Sequence, residues 1–148
     1  MTFQESVRTC IGPKYFFKFG GRASRSEFWW FMLFIFLVNL CAGFIFSLFP
    51  PIWAASMSMV VSLLLFPANL GVTVRRLHDR NLSGWWLLLP ISALALWFLG
   101  NGVAAESNTI GSALSLAMCI GYLAILSMPG QPGANKYGPA PAVSISED

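Results

Sequence analysis

Charge is what this chain has least of. Only 10% of its 148 residues are Asp, Glu, Lys or Arg, against about 25% in an ordinary soluble domain. None of the four occurs in residues 28–74, 81–105 or 107–135. With 56% hydrophobic residues, too little polar surface remains to coat a water-soluble fold, so lipid is the expected solvent. Histidine is nearly absent, with His78 alone, and no His, Cys or carboxylate array has metal-ligand spacing. No metal site and no cofactor is expected. Cys10, Cys41 and Cys119 show no pairing logic and read as small buried hydrophobes. Catalytic signatures are missing too: there is no G-x-S-x-G, no H-E-x-x-H and no phosphate-cradling glycine loop. The expectation is therefore not an enzyme. No ionisable group sits at the centre of an apolar segment, which argues against a proton-coupled pump.

What is present is hydrophobic length. The first uncharged stretch covers 47 residues, twice the need of one crossing, since a 22-residue helix rises about 33 Å and a bilayer core is about 30 Å thick. Pro50-Pro51 divides it. The expected fold is all-α and integral to the membrane, one membrane domain over residues 1–148. Four transmembrane helices are placed at residues 28–49, 52–74, 84–100 and 109–128. An interfacial arm precedes them at 1–27, and an irregular tail follows at 129–148. The first apolar stretch is too long and too far from residue 1 for a signal peptide and reads as a retained anchor.

Finer signals fill in this frame. Phe3, Val7, Cys10 and Ile11 recur at helical spacing, as in a short helix lying on the membrane surface. Ser24-Arg25-Ser26-Glu27 fits a capping box, with Glu27 reaching back to the Ser24 amide. The second span is open to continuing into the charged segment after Val74. Pro67 and Pro90 are expected to kink their helices. Ala113, Ala117 and Gly121 form a small-residue stripe expected to permit close helix packing.

Charge also sets the threading. With the N-terminus inside, five Lys/Arg precede the first span, three lie between the second and third, and Lys136 follows the fourth. The two outer loops hold none, a lopsided positive-inside distribution. Both termini are thus expected to be cytoplasmic. The Trp29-Trp30 and Trp85-Trp86 pairs fall at cytosolic ends, and Trp53 and Trp97 near outer ends, as aromatic belts require. A small basic interfacial patch is not a groove-reading surface, so nucleic acid is not an expected partner.

The candidate site is cytosolic. Arg22, Arg25 and Glu27 precede the first span, and Arg75, Arg76, His78, Asp79 and Arg80 follow the second. A short outer turn makes these two spans neighbours, so both clusters meet in one patch. One reading is a set of headgroup anchors and inter-helix ion pairs that fix topology. The other is a dedicated site for an anionic lipid headgroup or an acidic segment of a protein partner, since a guanidinium suits phosphate and carboxylate alike.

Three segments together carry a family resemblance. They are Phe19-Gly20-Gly21-Arg22-Ala23-Ser24-Arg25-Ser26-Glu27-Phe28-Trp29, Arg75-Arg76-Leu77-His78-Asp79-Arg80-Asn81-Leu82-Ser83-Gly84-Trp85-Trp86, and Gly133-Ala134-Asn135-Lys136-Tyr137-Gly138-Pro139-Ala140-Pro141. In this order the chain resembles the small bacterial inner-membrane family catalogued as domain of unknown function 805 (YhaH-like). The resemblance implies a multi-helix protein of the bacterial inner membrane and brings no activity or catalytic residue with it. It directs attention to the tail, where Asn135 and Tyr137 are expected to fold back onto the arginine patch. The expected function is a non-enzymatic membrane component whose basic cytosolic face binds anionic lipid or a protein partner. The alternative is a small transporter or channel, formed as a homo-oligomer and using Asn39, Pro67, Asn69 and Pro90.

Overall fold

A computed structural model describes residues 1–12, 16–99 and 109–141. Among them the chain is helical, with no strand and only an isolated bridge between Asn135 and Gly138. The helices are α1 (Phe3–Ile11), α2 (Arg25–Phe46), α3 (Pro51–Asp79), α4 (Leu88–Phe98) and α5 (Thr109–Ser127), with a 3-10 turn (Gly84–Leu87) leading into α4. Helices α2, α3 and α5 are each long and apolar enough to cross a membrane. The apolar stretch Gly84–Phe98 is shorter, and its 15 residues would span about 22 Å if fully α-helical.

The helices alternate in direction. The start of α2, the end of α3, the start of the 3-10 turn and the end of α5 share one end of the bundle. There Ala23 N donates to the Arg75 carbonyl at 3.0 Å, Arg76 reaches the Leu126 carbonyl, and Gly84 approaches Val74. This end also holds the core. In α3 every residue of 71–77 is buried, whereas most of 51–66 is exposed. Pro67 lies at that boundary, and α3 runs through it without a break. A lipid-facing half needs no protein core, but a half carrying two arginines needs partners. Phe28 and Phe31 of α2, Val72 and Leu77 of α3, and Tyr122 and Leu126 of α5 close the core around those arginines. All six tryptophans are exposed on the bundle surface.

Several expectations are corrected. The second span does continue into the charged segment: residues 75–79 are the last turns of α3, and the connection begins only at Arg80. A Schellman-type cap ends the helix: Leu82 N donates to Leu77 O, Asn81 N donates to His78 O, and Asn81 adopts φ 60°. Pro90 does not kink a long helix. It sits in the first turn of α4, where its missing N–H does least harm, just after the 3-10 turn. Helix α1 does not merely lie on a membrane surface but packs on α2 and α3. Its buried residues are Ser6 and Cys10, while Ile11 is exposed. The Ser24 hydroxyl does accept from Glu27 N at 3.1 Å, but the Glu27 carboxylate turns away to Arg75. The full capping box belongs instead to α1, between Thr2 and Glu5. Ala113, Ala117 and Gly121 are all exposed, and the buried face of α5 is Gly111, Ser115, Tyr122 and Leu126. Of the cysteines only Cys10 is buried.

Candidate functional site

The arginine-rich end is an ion-pair layer rather than an open basic patch. Arg75 Nη1 donates to Glu27 Oε1 at 2.5 Å across the α2–α3 seam. Asp79 serves two arginines: Oδ1 accepts from Arg22 Nε at 2.9 Å and lies 2.8 Å from Nη2, and Oδ2 accepts from Arg76 Nη1 at 2.5 Å. These side chains are 0–7% exposed. Isolated charges this deep would be prohibitive, and the pairing makes them tolerable.

Three arginines against two carboxylates leave one positive charge over, and backbone carbonyls absorb it. Arg76 Nε donates to Leu126 O at 2.9 Å and Nη2 to Met128 O at 2.5 Å. Leu126 lies in the last turn of α5, where carbonyls have no helical partner and the helix dipole is negative. Arg76 of α3 therefore caps α5. Arg22 does the same for the tail, donating to Gly133 O at 2.5 Å and Gln131 O at 2.6 Å.

The tail expected to fold back lies on this layer. Gln131 N donates to Asp79 O at 2.9 Å. Asn135 Nδ2 donates to His78 O at 2.8 Å, while its Oδ1 accepts from Tyr137 N at 2.9 Å. The Tyr137 ring stacks flat on His78, with centroids 3.7 Å apart and planes within 5°. His78 Nδ1 is 3.3 Å from Gly21 O, so the imidazole ties the α2 approach, the end of α3 and the tail together.

The sequence-predicted residues thus divide into two groups. Glu27, Arg75, Arg76 and Asp79 are buried, Arg22 is enclosed by the tail, and His78, Asn135 and Tyr137 are half-buried around them. Arg25 is exposed, and Arg80 is half-buried with a 3.4 Å contact to Pro129 O. Among the described residues neither forms an ion pair, and Lys136 makes only a cation–π contact, its Nζ 5.0 Å from the Tyr137 ring centre.

Sequence reasoning missed the contribution of α1. Ser6 Oγ donates to Glu27 O at 2.6 Å, and Cys10 lies within 3.7 Å of Arg75 Nη2 and 3.8 Å of Glu27 Oε1. Burial, reinforced by the Glu27 carboxylate, pushes the Cys10 thiol up to about 12, so it stays protonated and unreactive. The one available hint was its helical spacing from Phe3 and Val7. Gly130 was also missed as a contact residue, because a glycine between prolines reads only as a helix breaker. Among the described residues no group of His, Cys, Asp and Glu could hold a metal ion.

Apolar spanning helices joined at one end by buried arginine pairs define a small, multi-helix integral membrane protein. Within that class, the chain belongs to the family described as protein of unknown function (DUF805), whose family model matches residues 16–139. It is similar to the inner membrane protein YhaH of Escherichia coli K12, with 29% identity over 130 residues, covering 83% of this chain and 86% of YhaH. It is also similar to the uncharacterized protein YiiR of the same strain, at 33% over 136 residues, covering 84% and 86%. A third relative, the inner membrane protein YhaI, is 33% identical over 97 residues, covering 64% of this chain and 79% of YhaI. No solved structure matches the chain.

Proposed function

We propose that this is a non-enzymatic component of the bacterial inner membrane that holds anionic lipid at its cytosolic face. In this reading the chain crosses four times with both termini in the cytoplasm, the short apolar segment Gly84–Phe98 belonging to the third crossing. Support for the threading comes from the alternating helix directions and from the absence of Lys and Arg between residues 26 and 74 and between residues 81 and 135. A cysteine introduced at Ser107 should react with a membrane-impermeant maleimide from the periplasm, and one at Lys136 only after the membrane is opened. The reverse pattern would overturn the orientation.

One observation carries the lipid reading. Arg25, Arg80 and Lys136 stand outside the ion-pair layer at the end where headgroups would lie. Such cations attract an anionic surface by about 1 kcal/mol each. Arg75 and Arg76 are internal, so they belong to the folded framework of the site rather than to its lipid-facing part. Replacing Arg25, Arg80 and Lys136 together by Gln should lower the phosphatidylglycerol and cardiolipin retained through purification at least fivefold, as read by mass spectrometry. Retention equal to wild type would sink the reading, and retention of a specific acidic protein lost in the same variant would redirect it to a protein partner. The transport alternative draws no support from Asn39, whose amide bonds the Ile35 carbonyl of its own helix at 2.8 Å on an exposed flank.

A further inference from the structure

Two cavities lie one above the other along the α2–α3 seam. The upper one, about 260 Å³, is bounded by Ser24 and Arg25 at the start of α2, by Arg76 and Asp79 at the end of α3, and by the tail at Gly130 and Pro141. The lower one, about 310 Å³, is a partly open cleft lined by all four apolar segments, with Phe28 and Met32 from α2, Asn69 and Thr73 from α3, Pro90 from α4 and Tyr122 from α5. The same helix faces line both. Arg25, Phe28 and Met32 succeed one another at helical spacing on α2, as do Arg76, Thr73 and Asn69 on α3. From Arg25 to Phe28 the helix rises about 4.5 Å.

The chemistry changes with depth in the way an amphiphile does. At the upper level Arg25 carries a positive charge outside any ion pair among the described residues, and the α2 N-terminus adds its amides and positive dipole end. Asp79 also lines this cavity, but Arg22 and Arg76 neutralise it. At the lower level the walls are carbon, apart from three neutral groups. The Asn69 side-chain amide lines this cavity. Thr73 donates its hydroxyl proton to Asn69 O at 2.7 Å and keeps acceptor capacity. The buried Tyr122 hydroxyl has no partner among the described residues. A buried donor without an acceptor is destabilising. The cavity is roughly ten times the ~30 Å³ share of one water and mostly apolar, which is unlike a water site. It is close to the lower end of small-ligand sites, about 300 Å³.

We propose that the stacked cavities form one glycerophospholipid site, with the phosphate at Arg25 and the α2 N-terminus, and an ester carbonyl and the start of an acyl chain between Asn69 and Tyr122. The inference rests on the lipid reading above and locates it. The two fail differently in one experiment. Purified, delipidated protein is titrated with phosphatidylglycerol, with sn-glycerol 3-phosphate and with a short-chain ubiquinone, and adducts are counted by native mass spectrometry. Wild type is compared with Arg25→Gln, with Asn69→Leu, and with Ile91→Trp, which narrows the lower cavity from an exposed position on α4. Phosphatidylglycerol affinity should fall about fivefold or more in each variant, and glycerol phosphate should not compete. Wild-type binding by both Asn69→Leu and Ile91→Trp, with loss only in Arg25→Gln, would overturn the lower site and leave the cytosolic-face reading standing. Wild-type binding by all three removes the present site altogether. Ubiquinone binding in place of phosphatidylglycerol would assign the lower cavity to a quinone and overturn the phospholipid. Equal thermal stability of Ile91→Trp and wild type separates lost binding from lost folding.

Discussion

Asp79→Asn should be the most damaging near-isosteric change in the chain. The substitution keeps the shape of the side chain and removes the one negative charge that Arg22 and Arg76 share. Both guanidinium groups are at most 1% exposed, so neither can turn to water without dismantling the end of the bundle. Breaking a buried ion pair by removing one partner costs about 3–5 kcal/mol. Here one carboxylate serves two cations, which puts the effect at the upper end. For a chain of this size each kcal/mol moves the melting temperature by about 2–4 °C, so a drop of roughly 10–20 °C is expected in detergent, read by tryptophan fluorescence. Arg25→Gln is the control, because its side chain is exposed and changes away from buried contacts stay within about 0.5 kcal/mol. A further substitution, Arg76→Met on top of Asp79→Asn, should recover part of the loss by removing one orphaned charge. It will not recover all of it, because the Leu126 and Met128 carbonyls lose their donor. A melting temperature for Asp79→Asn within about 2 °C of wild type would show that the layer is not the keystone described here.

How much of this was legible beforehand depends on range. The three long apolar helices were readable because absence of charge over 20 or so residues is a local property with one physical cause, the bilayer. The meeting of Arg22 and Arg25 with Arg75 to Arg80 was readable from a short turn between neighbouring spans. Their burial was not. Four charges among the seven residues 75–81 suggest a solvated face, and the carboxylate that makes Arg75 tolerable, Glu27, lies 48 residues away. The same long-range partner explains the half-right cap. The hydrogen bond from Glu27 N to Ser24 is local and was predicted. The direction of the Glu27 carboxylate was decided by a competition with Arg75 that no local window contains. The stripe at Ala113, Ala117 and Gly121 failed for another reason. Small residues permit close approach without compelling it, and on α5 the bulky Tyr122 and Leu126 chose the buried face. The tail motif was legible as a unit because turn glycines and rigid prolines cannot continue a helix. Its seat was set by which carbonyls the arginines still lacked.

The tail also carries the second large effect, at a residue with no side chain. Gly130 packs its Cα against the Asp79 carboxylate, and a Cβ there would overlap both oxygens. An intruding methyl is cheap to accommodate when it meets the free end of a flexible side chain. Asp79 is not free: Arg22 and Arg76 hold its two oxygens from either side. In Gly130→Ala the tail must therefore lift, and its contacts are lost together. These are Gln131 N to Asp79 O, the Arg22 bonds to Gln131 and Gly133, and Asn135 to His78 with the Tyr137 stack beyond it. Overpacking alone costs about 1–3 kcal/mol, and each lost net hydrogen bond adds about 1 kcal/mol. Other glycines give the scale. Gly133→Ala meets no atom within 4 Å but must adopt φ +77°, a strain of about 1–2 kcal/mol. Gly121→Ala meets nothing and is helical, so it should be neutral or slightly stabilising. The readout is cleavage by trypsin after Lys136 in detergent. Tail release in Gly130→Ala should raise the rate at least tenfold, Gly133→Ala should raise it a few-fold, and Gly121→Ala should leave it unchanged. Equal rates for Gly130→Ala and wild type would mean that the tail does not lie on Asp79, and the upper cavity that it helps to wall would lose its boundary with it.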